Sequence, residues 1–304
     1  MKKVLVLVLA LVMILSCTAM AAGNKIGYTC MDGTNPFFVA LEGSIREVVE
    51  ANGDELISLD PQNSNEKQLS LVEDIISQGV VAMFVNPVDR EGIIPALDAL
   101  KNAGIPIFGF DTEVAMADEY LVTYAGSDNY NAGYVCGLDL VEKCPEGGDI
   151  IVLDSPTMQD MVDRTDGFLD AIEGKKFRIR VLMDCMADQE DAYNNCTDAL
   201  IACPDAVAIF GCNDATAMGA FAAAEAAGST ALIYGVDGSP DMKALIAEGK
   251  TTATGAESPI TIGKTVAETY YRWAAGEDVD AHIIIETFLI KADNVAEYGT
   301  DGWQ

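Results

Sequence analysis

Asparagine and aspartate recur at one kind of position in this chain, directly after a short apolar run. Val81–Val85 leads into Asn86-Pro87, Ile107–Phe110 into Asp111, and Ile150–Leu153 into Asp154. Ile209–Gly211 leads into Cys212-Asn213-Asp214, and Ile233–Val236 into Asp237-Gly238. Such groups share one chemistry, the recognition of hydroxyls. Carboxylates accept charge-assisted hydrogen bonds, and asparagine both donates and accepts. Any one of these residues could instead cap the helix that follows it. Their recurrence in register favours a polar cleft. Arg164, in Met161-Val162-Asp163-Arg164, stands where a helix is expected to begin. Its guanidinium could fork two donors toward ligand oxygens, and its loss is then expected to weaken binding. A surface ion pair with Asp163 or Asp166 is the alternative. Asn35-Pro36-Phe37-Phe38 follows a turn-like Asp32-Gly33-Thr34, and Pro36 fits a first helical position. Neighbouring helix residues do not share a face. One phenylalanine is therefore expected in the core and the other on the cleft.

The elements that must position these groups alternate. Apolar runs at Lys25–Cys30, Leu56–Leu59, Val81–Val85, Pro106–Phe110 and Leu121–Tyr124 read as strands. Helical patterns near Pro36–Ala51, Glu66–Ser77 and Glu91–Ala103 lie between them. The pattern restarts with strands at Asp149–Leu153, Ile179–Met183, Val207–Gly211 and Ala231–Val236. Its helices are Arg164–Ile172, Gln189–Ala202, Ala215–Ala227 and Pro240–Glu248. Nearly continuous apolar strands are those of a parallel sheet covered on both faces, and strand–helix alternation implies βαβ units. The fold class is therefore α/β, with two Rossmann-like lobes, each a parallel sheet flanked by helices. Helix Pro259–Ala275 and the run Ile283–Ile290 have no domain of their own and must pack back. The expected division is residues 25–126 plus 259–286 for the first lobe and 127–258 plus 287–304 for the second. A multi-strand hinge is expected near Gly126–Ser127, Glu257–Ser258 and Ile285–Glu286. Ligands bind outside the carboxyl ends of open parallel sheets, here between the lobes.

The first residues read as an export leader, residues 1–21. Lys2 and Lys3 precede an apolar run from Val4 to Leu15, too short for a bilayer span of roughly 20 residues but suited to a signal-peptide core. Ala19-Met20-Ala21 fits the small-x-small cleavage pattern, and the mature chain is expected to begin at Ala22. Ile14-Leu15-Ser16-Cys17 is the competing reading, in which Cys17 would carry a lipid anchor. The protein is thus expected to be periplasmic or otherwise extracytoplasmic. Its formal charge of −30 repels phosphate backbones and excludes nucleic acid as a partner. The cysteines after the leader form no CxxC pair, so no metal site is expected. A Ser-His-Asp or Cys-His site would have to use His282, the one histidine. No GxGxxG follows the first strand and no GxxxxGK[ST] occurs, so nucleotide cofactors lack a cradle. No catalytic residue and no cofactor are expected.

These motifs, in this order, resemble the periplasmic sugar-binding proteins of ABC importers, the type I ribose/galactose-binding class. The resemblance runs from about Lys25 onward. It rests on Asn35-Pro36-Phe37-Phe38, Gly104-Ile105-Pro106 running into Asp111, Ser127-Asp128-Asn129 with Gly133, and Asp163-Arg164 before Gly167-Phe168. Asn213-Asp214 with Met218-Gly219, and Gly235-Val236-Asp237-Gly238 with Pro240-Asp241, complete it. The resemblance implies ligand contacts at Asn35, Phe37, Phe38, Asp111, Arg164, Asn213, Asp237 and Glu257. Ribose-binding members have Gln at the position of Glu257, Ser at Met31, Arg at Thr112 and Phe at Gln189. A monosaccharide other than ribose, or a polyol, is therefore the expected ligand, with an amino sugar, nucleoside or signalling furanose as the alternative. The implied partners are an ABC permease and, for the alternative role, a chemoreceptor. The chain is expected to act as a monomer.

Overall fold

The computed structural model describes residues 23–304. The leader, its cleavage site and Cys17 lie outside the described residues. The chain opens with β1 (Lys25–Thr29), α1 (Pro36–Ala51), β2 (Glu55–Ser58), α2 (Asn65–Ser77), β3 (Ala82–Val85) and α3 (Ile94–Asn102). β4 (Ile107–Phe110), α4 (Ala117–Tyr120) and β5 (Leu121–Ser127) follow. Next come α5 (Asn129–Lys143), β6 (Gly148–Asp154), α6 (Gln159–Ile172), β7 (Phe177–Asp184), α7 (Gln189–Ala202) and β8 (Ala208–Gly211). α8 (Asp214–Ala227), β9 (Leu232–Asp237), α9 (Pro240–Ala247), β10 (Ala253–Ala256) and α10 (Pro259–Ala274) continue the chain. It ends with β11 (His282–Ile285), β12 (Phe288–Lys291) and α11 (Val295–Tyr298).

Two six-stranded sheets result, ordered β11-β5-β4-β3-β1-β2 and β12-β10-β9-β8-β6-β7. The pairings are parallel except β10 with β12. Successive side chains on a strand point to opposite faces, and both faces are buried. Ile151 and Leu153 of β6 pack with Ala217 and Ala220 of α8. Ile150 and Val152 of the same strand pack with Phe168 of α6 on the other side. In the first sheet, Ile26 and Phe84 meet Leu41 and Ile45 of α1 and Val266 of α10. Met83 and Val85 face Val72, Leu97 and Leu100. Double coverage explains the unbroken apolar runs. The seven cysteines among the described residues are free thiols, and all but the half-buried Cys144 are buried.

The chain crosses between the sheets after β5, after β10 and between β11 and β12. The first and last crossings are tied together. Asp128 N–H donates to Ile285 O at 3.0 Å. The Thr287 hydroxyl donates to Asp128 O at 2.9 Å, and Asn131 Nδ2 to Thr287 O at 2.9 Å. The apolar run 283–290 is thus two strands in two sheets, turned at Glu286-Thr287.

The structure departs from expectation in α6, which starts at Gln159 rather than near Arg164, so Arg164 lies inside a helix. It adds α5, which sequence periodicity did not reveal. α5 and α6 pack backbone to backbone at glycine. A Cβ on Gly133 would lie 1.7 Å from Arg164 O, and one on Gly167 2.0 Å from Tyr130 O. Backbone cannot give way as a side-chain tip can. Gly133→Ala is therefore expected to destabilise the protein by about 1–3 kcal/mol, the cost of overpacking. It should also displace Arg164. Urea unfolding of the variant measures the first effect, and an unchanged midpoint would contradict the packing described.

Candidate functional site

The site begins at the carboxyl ends of β4, β9 and β10. β4 ends in Asp111, β9 in Asp237, and β10 runs into Glu257. Both aspartates have positive φ, +61° at Asp111 and +132° at Asp237. Asp tolerates the left-handed region better than most residues, but Asp237 lies beyond it. Strain of this kind persists where surrounding structure enforces it. Here Asp237 is held by Arg164 and by the next helix: its Oδ2 accepts from Asp214 N–H at 3.2 Å.

Arg164 projects from α6 into this group and is 4% exposed. Its Nη1 donates to Asp237 Oδ1 and its Nη2 to Glu257 Oε1, both at 2.9 Å. Nε donates to Asn129 Oδ1 at 2.7 Å, and Nη1 also reaches Cys212 O at 3.3 Å. The guanidinium expected to point its fork at a ligand thus spends it on two carboxylates. Its first role is to hold them in place. The surface ion pair with Asp163 or Asp166 does not form.

The first lobe contributes Asp111 through a buried polar chain. Gln68 of α2 donates Nε2 to Asn86 O at 2.9 Å and accepts Val88 N–H at 2.9 Å. Asn86 accepts Met31 N–H at 3.0 Å and donates to Asp111 Oδ2 at 3.1 Å. Thr112 then closes the gap to the second lobe. Its hydroxyl lies 2.8 Å from Asp160 Oδ2 and 3.3 Å from Asp111 Oδ2. Asp160, on the first turn of α6, was not among the expected residues. It follows no strand, and the strand-end pattern could not find it.

Acidic groups outnumber the guanidiniums of Arg164 and, beside Asp160, Arg90. Burial, then the charges of Asp160 and Glu257, holds the Asp111 carboxyl well above the usual range. Burial likewise raises Asp160. Burial pushes Asp214 to about 6 and Asp237 and Glu257 to about 7, although Arg164 pulls all three down. Burial alone would lower Arg164, but Glu257 and Asp237 outweigh it and raise it.

The remaining expected residues divide. Phe37 and Phe38 are both buried in the first core, edge to face with centroids 5.4 Å apart. Phe37 also meets Trp303 edge to face at 5.4 Å. Asn35 is exposed and caps α1, its Oδ1 accepting Phe37 N–H at 2.9 Å. Asn213 caps α8 through Thr216 N–H at 2.8 Å and donates to Ala187 O at 3.1 Å. Met31 packs half-buried against the first core. Gln189 is exposed at the start of α7, with no side-chain hydrogen bond to the cluster. Thus Asp111, Thr112, Arg164, Asp237 and Glu257 are brought together, while Asn35 and Asn213 serve as caps. A cavity of about 380 Å³ opens beside Asp160, lined by Arg90, Tyr124, Ser127, Asn129 and Asp163 among others. His282 is exposed and pairs with Glu113 at 2.7 Å.

Two doubly covered parallel sheets, three crossings and buried polar groups between the strand ends define the class of two-lobed solute-binding proteins. The chain belongs to the periplasmic binding protein domain family, whose model matches residues 26–278. That family is one of solute-binding proteins rather than enzymes, and its members work outside the cytoplasm. No described helix is long and apolar enough to cross a membrane. The chain is 30% identical over 293 residues to the ribose import binding protein RbsB of Escherichia coli, covering 95% of this chain and 98% of that one. It is 31% identical over 252 residues to RbsB of Bacillus subtilis, covering 81% and 82%. Among solved structures it is similar to an ABC transporter solute-binding protein from Mycobacterium smegmatis with bound glycerol. The TM-score there is 0.85 at 30% identity, covering 92% of this chain and 99% of that one. A periplasmic solute-binding protein from Actinobacillus succinogenes with bound D-allose gives a TM-score of 0.84 at 26% identity, covering 90% and 100%.

Proposed function

We propose that this protein binds a monosaccharide or polyol between its lobes and delivers it to an ABC permease. The observation that carries the reading is the polar cluster of half-buried Asp111, Thr112, Asp160 and Asp237 around buried Arg164 and Glu257, drawn from both lobes. Its carboxylates accept hydrogen bonds from ligand hydroxyls. Hinge motion at the crossings opens and closes this space. A ligand favours closure only by its differential affinity for the closed form. The relatives named for ribose and the neighbours solved with glycerol and D-allose support the ligand class. The leader read at residues 1–21 supports export of the mature chain, with a lipid anchor at Cys17 as the alternative tether. A chemoreceptor could read the same closed surface.

The charge imbalance favours a second reading, a ligand carrying an ammonium group. Four carboxyls, on Asp111, Asp160, Asp237 and Glu257, face two guanidiniums, that of Arg164 among them and that of Arg90 beside Asp160. Thermal-shift and calorimetric titration with D-ribose, D-allose, myo-inositol, glycerol and D-glucosamine separates the two. A ligand at one hundred times its Kd stabilises the folded form by about 2.7 kcal/mol. We expect a neutral sugar or polyol to do so. Glucosamine binding in its place would select the ammonium reading, and no response to any sugar or polyol would overturn the carrier function.

A further inference from the structure

The segment after α11 joins the two lobes at the cluster itself. Trp303 packs half-buried against the first core and meets the Phe37 ring at 5.4 Å with an interplanar angle of 88°. The next residue belongs to the second lobe by its contacts. Gln304 Nε2 donates to Glu257 O and, at 3.3 Å, to Asp237 O. These are the backbones of the two carboxylates that hold Arg164. The fit is close, since a Cβ on Gly238 would lie 2.4 Å from Gln304 Nε2.

Lys243 of α9 explains why the segment stays there. Its side chain is fully buried. Its ammonium donates to Gly302 O at 2.7 Å and to Gln304 Oε1 at 2.9 Å. Both hydrogen bonds go to this segment, and among the described residues no carboxylate lies within ion-pair distance of it. Burial lowers its pKa, while Asp214 and Asp301 act against that. Pulling the segment away would leave a buried ammonium without acceptors, which is far costlier than parting two aromatic edges. The segment therefore remains with the second lobe when the lobes separate, and the contact that breaks is Trp303 with Phe37.

We propose that Gly302–Gln304 is a strap of the binding site. Trp303 forms an aromatic wall fixed to the second lobe, closing on Phe37 of the first and holding the ligand-bound form shut. Trp303 is thereby a specificity-determining residue, because an indole one residue from the Gln304 that binds the Asp237 and Glu257 backbones offers an apolar face to the C–H face of a polyhydroxylated ring. The inference rests on the cluster being the ligand site. It extends that reading to residues outside the βα units.

The sequence contains two tryptophans. The other, Trp273, packs on Phe108 away from the cluster. Trp273→Phe thus leaves Trp303 as the sole indole reporter. The probe is whichever of D-ribose, D-allose, myo-inositol or glycerol binds the unaltered protein most tightly. Its addition is expected to change Trp303 emission and protect it from acrylamide. Trp303→Ala, and deletion of residues 302–304, are expected to raise Kd by about tenfold or more, chiefly through faster dissociation. Trp303→Tyr should recover most of the affinity, which a merely structural role would not require. Lys243→Met, which keeps the stem and removes the anchor, should expose Trp303 in the ligand-free protein. Should Trp303→Ala fold poorly, the emission and quenching of Trp303 in the Trp273→Phe protein decide the matter. An unchanged Kd and dissociation rate in Trp303→Ala, or Trp303 emission indifferent to a bound ligand, would overturn the strap. A protein that binds none of the probes would instead overturn the carrier reading on which it rests.

Discussion

Replacing Arg164 with methionine is expected to destabilise the ligand-free protein by about 3–5 kcal/mol, the cost of breaking a buried ion pair from one side. Arg164 is 4% exposed and holds Asp237 and Glu257 at 2.9 Å each. Without it, the buried Glu257 and half-buried Asp237 carboxyls at strand ends lose their shared partner, with Asp111 and Asp160 nearby. They must either stay charged and repel or take up protons. The backbone at Asp237, with φ of +132°, also loses a tether. Denaturant unfolding at pH 8 reads the loss. The triple variant Arg164→Met, Asp237→Asn, Glu257→Gln is expected to recover most of it, since a neutral set of similar volume avoids the uncompensated charge. Ligand binding should stay weak in both, because the carboxylates are misplaced in one and absent in the other. A loss below about 1 kcal/mol, the range of surface pairs, would mean that Arg164 is not the keystone of the cluster.

That result bears on what the sequence could tell. The apolar runs announced the doubly covered strands, because burial on both faces leaves no polar position to disguise them. β10 escaped notice for the opposite reason. Ala253-Thr254-Gly255-Ala256 has no bulky residue because α5 lies against it. A Cβ on Gly255 would sit 2.1 Å from Ala132 O. α5 escaped because its glycines, Gly133 and Gly137, serve close packing rather than a helical stripe. Strand-end aspartates were legible as a group, and Asp111 and Asp237 do converge. The same pattern includes Asn213, whose side-chain carbonyl caps a helix, because capping and ligand binding draw on the same residue types. Arg164 was legible as a candidate for the cleft, but its partners were not. The fork faces carboxylates 73 and 93 positions away in sequence. Trp303 and Lys243 carried no signal at all. Their relation depends on how the last residues fold back over the second sheet.

The ligand-free protein is expected to be more stable at pH 5 than at pH 8. Unfolded Asp and Glu titrate near roughly 3.9 and 4.3. In the folded protein burial moves Asp214 to about 6 and Asp237 and Glu257 to about 7. Between these ranges the folded state holds more protons than the unfolded one. Stability then falls as pH rises. The contribution is fully present below about pH 4 and is lost as pH passes through about 7. Because the three carboxyls share Arg164 and one another, their protons leave in steps that belong to the group. Each unit by which a group is raised corresponds to about 1.4 kcal/mol, so a change of a few kcal/mol is expected across the window. The overall charge of −30 pushes the same way, since acid relieves self-repulsion. Salt separates the two effects. At about 1 M the Debye length is about 3 Å, which suppresses surface repulsion and leaves the buried carboxyls nearly unscreened. Melting curves at that salt concentration should still move to higher temperature from pH 8 to pH 5. Asp237→Asn should reduce the shift by removing one member of the group. A melting temperature that is flat, or that rises with pH, would mean that these carboxyls ionise as freely as exposed ones, and that Arg164 with its hydrogen-bond partners outweighs their burial.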